Sequence, residues 1–130
     1  MEIGSLASTS LLTVGPDTTV RQAARAMAER RVGSAVVTTD DGRPAIITER
    51  DVLRAVASGG DLDAVTVGDY MTPNAITATR SWDAEEAARE MRDRGFRHLL
   101  VLDDNGSVAG VLSMRDLVGL LLDARAPSSD

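Results

Sequence analysis

The sequence predicts an α/β fold, more strictly α+β, made of two pseudo-symmetric β-α-β-β-α repeats in tandem. Three observations carry that prediction. At an offset of 64 the chain lies on itself: Leu12-Thr13-Val14 falls on Ile76-Thr77-Ala78, and Val20, Ala23, Ala24 and Met27 fall on Ala84, Ala87, Ala88 and Met91. Asp40-Asp41-Gly42 falls on Asp104-Asn105-Gly106, the same hairpin-turn signal at the same place in each copy. Past the turn the offset becomes 65, and Thr48-Glu49-Arg50-Asp51 falls on Ser113-Met114-Arg115-Asp116. The extra residue is expected in a loop, because exposed turns tolerate insertions. Two copies are too few for a solenoid, so the chain divides into a first repeat, 1–64, and a second, 65–130.

The elements follow in order. Leu11 to Val14 is a short extended segment. Thr19 with Gln22 makes a capping-box pattern, and the helix it opens runs to about Arg30 with Val20, Ala23, Ala24, Met27 and Ala28 on one face. Ser34 to Thr38 and Ala45 to Ile47 read as strands joined by the Asp-Asp-Gly turn. A second helix spans about Glu49 to Ala57 and stops at Gly59-Gly60, with 61–70 as a connector. The second copy repeats this: a strand over 75–78, Asp83 with Glu86 capping a helix to Arg94, strands over 98–102 and 108–112, and a helix to about Ala124. The last residues, 125–130, read as a frayed tail.

Composition narrows the function. The hydrophobic fraction of 43% and charged fraction of 26% are those of an ordinary globular chain. No apolar run is long enough to span a membrane, and the longest, Leu117 to Leu122, is broken by Gly119. The N-terminus lacks the basic start and apolar core of a secretory signal, so a cytoplasmic location is expected. With no cysteine, disulfides, thiolate metal sites and thiol nucleophiles are excluded, and a single histidine makes a zinc site improbable. A net charge of −6 argues against a long nucleic-acid partner. All 14 basic residues are Arg, whose planar fork suits a small phosphate ligand. There is no Gly-rich phosphate loop with Lys and no Ser–His–acid spacing, so the chain is not expected to be an enzyme and no catalytic cofactor is implied.

The chemistry concentrates at the two strand-to-helix junctions. Thr48 and Ser113 can cap the helices that follow, since the first N–H groups of a helix lack partners within it. The same groups, with the positive end of the helix dipole, can hold an anion. Thr/Ser-x-x-Asp is also a capping pattern in its own right, and the two roles can coexist because a carboxylate has several acceptor positions.

The doubled strand–(Thr/Ser)-x-x-Asp–helix, the turn before each, and Asp69-Tyr70-Met71-Thr72-Pro73 opening the second copy together resemble a CBS-domain pair, the Bateman module named after cystathionine β-synthase. The resemblance covers about Ile3 to Asp123. The first copy departs from it twice, lacking Met-Thr-Pro and having Ala45 where the second has Gly110. The resemblance implies a regulatory module binding an adenosine nucleotide (AMP, ADP or ATP) or a related ligand such as S-adenosylmethionine in two clefts. In the family the motif Asp bonds the ribose and the Thr or Ser lies near the phosphate. Carried over, one cleft would hold Ser113, Arg115, Asp116, Arg97 and His98, with Ser10, Leu12, Val32 and Gly33 at the base. The other would hold Thr48, Arg50, Asp51 and Ser34, with Asn74, Ile76, Phe96 and Arg97 nearby. His98, with an ordinary pKa of about 6.5, would favour an anion more as pH falls. The resemblance also implies a homodimer through the repeat helices and an effector protein or domain. For that dimer, Leu117, Val118, Leu120, Leu121 and Leu122 crowd more apolar surface onto the last helix than one neighbour can cover. A ligand-free dimerisation scaffold is the competing reading.

Overall fold

A computed structural model describes residues 1–5, 7 and 11–125, without the side chains of 120 and 123–125. The chain packs as two compact units, one of Leu11–Ala75 and the other of Ile76–Asp130 together with Met1–Ser10.

In the Leu11–Ala75 unit, β1 (Thr13–Val14) lies parallel to β2 (Ser34–Val37), which pairs antiparallel with β3 (Ala45–Thr48). Helix α1 (Val20–Arg30) starts at the predicted box: Thr19 Oγ1 accepts from the Gln22 amide at 3.1 Å and Gln22 Oε1 accepts from the Thr19 amide at 3.1 Å. Its buried face is Val20, Ala23 and Met27. Helix α2 (Glu49–Ala57) follows β3 directly. The core is aliphatic, built on Leu12, Ala23, Met27, Ala35, Val37, Ala45, Ile47 and Val67.

The connector predicted over 61–70 contains a helical turn, α3 (Val67–Tyr70). Hydrophobic periodicity could not show it, because four residues barely complete one turn. Its Val67 is fully buried, and its first amides bond back to Thr18 O at 2.7 Å and Pro16 O at 2.8 Å. The chain then runs beside β3: Ile46 and Thr72 exchange backbone bonds of 3.1 and 2.8 Å, and the Ala75 amide donates to Pro44 O at 3.0 Å. Residues 67–75 therefore form a strap on this unit. The strand predicted at 75–78 accordingly begins later, as β4 (Thr77–Thr79).

In the other unit β4 is parallel to β5 (His98–Leu102), which is antiparallel to β6 (Val108–Ser113). Helix α4 (Ala84–Arg94) precedes β5, and α5 (Met114–Arg125) follows β6. The extra residue does not sit in the turn. Val101 pairs with Gly110 but Leu102 pairs with Val108, which leaves Ala109 as a β-bulge inside β6. The turn keeps the first copy's geometry instead, with Gly106 donating to Asp103 O at 2.9 Å as Gly42 does to Thr39 O at 3.1 Å. Asp83 caps α4 through the Glu85 amide at 3.2 Å, without the expected reciprocal bond from Glu86. Its second oxygen takes the N-terminal ammonium at 3.2 Å, and this contact, above all, holds the carboxyl below its ordinary range.

The N-terminus is the second strap. The amides of Ile3 and Gly4 donate to Trp82 O at 2.8 Å and Arg80 O at 2.9 Å, and Ile3 is fully buried among Ala78, Ala87, Met91, Leu99, Val101, Leu112 and Leu117. Burying one isoleucine contributes about 1.5–3 kcal/mol. The approach requires glycine, since a Cβ on Gly4 would stand 2.7 Å from Arg80 Cβ.

The apolar run on α5 resolves into two roles. Leu117 is fully buried and Leu121 packs against the same core, so these two serve their own unit. Val118 and Leu122 stay exposed, at 44% and 64%; the side chain of Leu120 lies outside the described residues. No helix among the described residues is long and apolar enough to cross a membrane.

Candidate functional site

Each unit carries one strand-to-helix junction, formed because an apolar strand ends at a hydroxyl residue with extended backbone. At the first, Thr48 has φ −116° and ψ 165° and caps α2. Its Oγ1 accepts from the Asp51 amide at 3.3 Å, while Asp51 Oδ2 accepts from the Thr48 amide at 2.9 Å and lies 3.1 Å from Oγ1. Asp51 Oδ1 accepts from Arg54 Nη1 at 3.1 Å. Both carboxylate oxygens are thus engaged, and Asp51 is buried, 4% exposed, the one buried charged residue among the described residues. The Glu49 amide donates to Gly33 O at 2.9 Å, tying the start of α2 to the start of β2, and Ser34 pairs with Thr48 in the sheet.

At the second junction Ser113 Oγ accepts from the Asp116 amide at 3.0 Å. The Met114 amide donates to Arg97 O at 2.8 Å, and His98 pairs with Ser113 across the ladder. The frame is the same, but the carboxylate differs. Asp116 is exposed and its side chain makes no hydrogen bond or ion pair among the described residues. Arg115 and Arg97 are exposed beside it and His98 is half-buried. One difference lies three residues on: Arg54 reaches Asp51, and the matching position after Asp116 is Gly119.

The remaining predicted site residues fall as follows. Leu12 belongs to the core of its unit, with its carbonyl taken by the Val36 amide at 2.8 Å, and half-buried Val32 packs on that core. Asn74 is exposed with φ 53° and, with Thr39, Asp41, Arg43, Met71 and Pro73, lines an open depression at the turn end of β3, away from Thr48. In the other unit Ile76 accepts from the Leu100 amide at 2.9 Å, and Phe96 packs on the core beneath the Arg94 guanidinium, 5.5 Å from its ring centre. Ser10 lies outside the described residues. The structure brings together Gly33, Thr48 and Asp51 in one unit and Arg97, His98, Ser113 and Asp116 in the other. Sequence reasoning missed Glu49, whose carboxylate lies over Gly33, and Arg54 on Asp51; the signals were their positions, one and six residues after Thr48.

Comparison with known proteins agrees with this duplication. The family model of the CBS domain matches twice, over residues 3–58 and 67–123. The chain belongs to the CBS-domain family. An uncharacterized 17.7 kDa protein of Acidianus ambivalens is 38% identical over 123 residues, which cover 94% of this chain and 74% of that protein. An uncharacterized protein of Methanopyrus kandleri is 34% identical over 91% of this chain, which spans only 61% of its length. Among solved structures, a CBS domain protein of Pyrobaculum aerophilum complexed with AMP is 36% identical with a TM-score of 0.80, covering 97% of this chain and all of that one.

Proposed function

We propose that the chain is a regulatory module that binds an adenosyl ligand, AMP, ADP, ATP or a relative, at its two Thr/Ser-x-x-Asp junctions, and transmits occupancy to an effector protein or domain without catalysing a reaction. The observation that carries this reading is the second junction: an exposed Asp116, unengaged among the described residues, beside Ser113, Arg97, His98 and Arg115, in a chain similar to a protein solved with AMP. Asp116 offers acceptors for ribose hydroxyls, and the Arg side chains, with the positive end of the α5 dipole, offer donors and field for phosphate. The Asp51 junction would bind more weakly, because its carboxylate already closes the Thr48 cap and holds Arg54. The family's other residues, Ser10, Leu12, Val32, Asn74, Ile76 and Phe96, would contribute through backbone groups and apolar contacts.

The test is a thermal-shift panel of AMP, ADP, ATP, NAD, GTP and S-adenosylmethionine, followed by calorimetry on Asp116→Ala and Asp51→Ala. A ligand at a hundred times its Kd adds about 2.7 kcal/mol of stability. Asp116→Ala should remove the tighter event and Asp51→Ala should leave it within a few fold. The reverse pattern would overturn the assignment. The scaffold reading rests on the exposed apolar residues Leu53 and Val56 of α2 and Val118 and Leu122 of α5. It would prevail if no ligand shifted the melt while light scattering gave a clean dimer.

A further inference from the structure

The two junctions are equivalent in backbone and unequal in charge. The equivalence is marked by one bond, Glu49 N to Gly33 O at 2.9 Å in one unit and Met114 N to Arg97 O at 2.8 Å in the other. In the first unit the Glu49 carboxylate lies over Gly33, so that a Cβ there would stand 3.1 Å from Oε1 and 3.3 Å from Cδ. In the second, Gly33 is replaced by Arg97 and Glu49 by Met114, while Arg50 and Arg115 match. The Gly33 position, which the Glu49 carboxylate overlies, is matched in the other unit by an exposed Arg, and the position of Glu49 itself by an uncharged Met.

A helix N-terminus attracts anions through its free amides and its dipole. In α2 the first turn already holds two carboxylates, Glu49 and Asp51; in α5 it holds Asp116 alone. Arg54 is paired with Asp51, so it does not offset Glu49. A phosphate arriving at Thr48 would meet a like charge on the next residue, an interaction strengthened wherever bound ligand excludes water.

We propose that Glu49 is a specificity residue that makes the Thr48–Asp51 junction refuse phosphate. That junction takes an adenosyl group without phosphate, uncharged or cationic, and leaves phosphorylated ligands to the Ser113–Asp116 junction. The inference rests on the nucleotide reading above and deepens it: the module reads two ligands of different charge, not one ligand twice. A first-turn acid also favours its own helix, but that role alone would leave ligand preference unchanged.

The experiment is calorimetric titration of the whole chain with AMP and, separately, with adenosine, for wild type, Glu49→Gln and Glu49→Ala. Glu49 is exposed, so neither substitution opens the core, and melting curves check each fold. Wild type should show one strong AMP event per chain. Each variant should add a second AMP event, or strengthen a weak one by roughly tenfold, about 1.4 kcal/mol, while adenosine affinity stays within about twofold. AMP isotherms that superimpose on wild type in both variants would overturn the proposal, as would equal gains for AMP and adenosine, which would mark a steric effect. If wild type binds neither AMP nor adenosine nor any other ligand of the thermal-shift panel, the nucleotide reading itself fails, a result separate from the others.

Discussion

Arg31 closes α1 in the left-handed conformation, φ 56°, where the equivalent end of α4 uses Gly95 at φ 76°. A side chain with a Cβ costs roughly 1 kcal/mol in that region, which glycine avoids. Arg31→Gly should therefore stabilise the protein by about that amount, read as a higher denaturant midpoint with unchanged slope. Asp41 supports a pH prediction. Its carboxyl is held below the usual value first by the Thr39 hydroxyl, at 2.6 Å, and then by the Arg43 amide. A depressed carboxylate stabilises the fold above its unfolded pKa and loses that contribution as pH falls through the folded one. Melting of wild type between about pH 5 and 2 should thus fall more steeply than melting of Asp41→Asn. At this scale the sequence was partly legible. Thr48-x-x-Asp51 and Ser113-x-x-Asp116 look alike; Arg97-His98 against Gly33-Ser34 already marked the junctions as unequal, while Arg54 against Gly119 and Glu49 against Met114 took on meaning only with their contacts. That Asp51 is buried required the packing.

Helix caps separate the two halves at the scale of elements. The Thr48 cap is reciprocal and leans on a buried carboxylate; the Ser113 cap is a bond to an exposed residue's amide. Thr48→Ala should cost about 1–2 kcal/mol and Ser113→Ala nearer 0.5–1 kcal/mol, compared by urea unfolding. Equal costs would mean that the Asp51 network adds nothing to the cap. The strand and helix order was readable from period and punctuation, because long apolar stripes and Asp-Gly turns have few alternatives. Two features were not. The insertion entered β6 as the Ala109 bulge, since the turn is held by its own bonds while a strand can shed one ladder partner. The helical turn at Val67–Tyr70 is too short to show a stripe, and its burial depends on docking to Thr18 and Pro16.

For the molecule as a whole, the exposed apolar pairs are the question. Leu53 and Val56 are 66% and 53% exposed on α2, three residues apart and so on one face. Val118 and Leu122, four apart, do the same on α5. A second copy of the chain is the occupant that the family resemblance implied. If these helices form a dimer face, Leu122→Glu and Leu53→Glu should each give a monomer by light scattering with little change in melting, because neither side chain belongs to a core. Leu117→Ala should behave oppositely, costing about 2–5 kcal/mol through a cavity in its own unit. An unchanged mass in both Glu variants would remove α2 and α5 from any interface. The sequence indicated surplus apolar surface on the last helix but could not divide it, since Leu117 and Leu122 differ only in what lies beside them.

The two straps have a consequence for how such a chain can be divided. Copies of the sequence and compact units are not the same pieces: Val67 and Met71, which open the second copy, complete the packing of Leu11–Ala75, and Ile3, which opens the first, is buried among Ala78, Leu99 and Leu117. A fragment ending at residue 64 would leave the Val67 slot open, whereas one running from Leu11 to Ala75 would keep its core. Boundaries drawn on the packing keep each core whole, whereas boundaries drawn on the repeat open both.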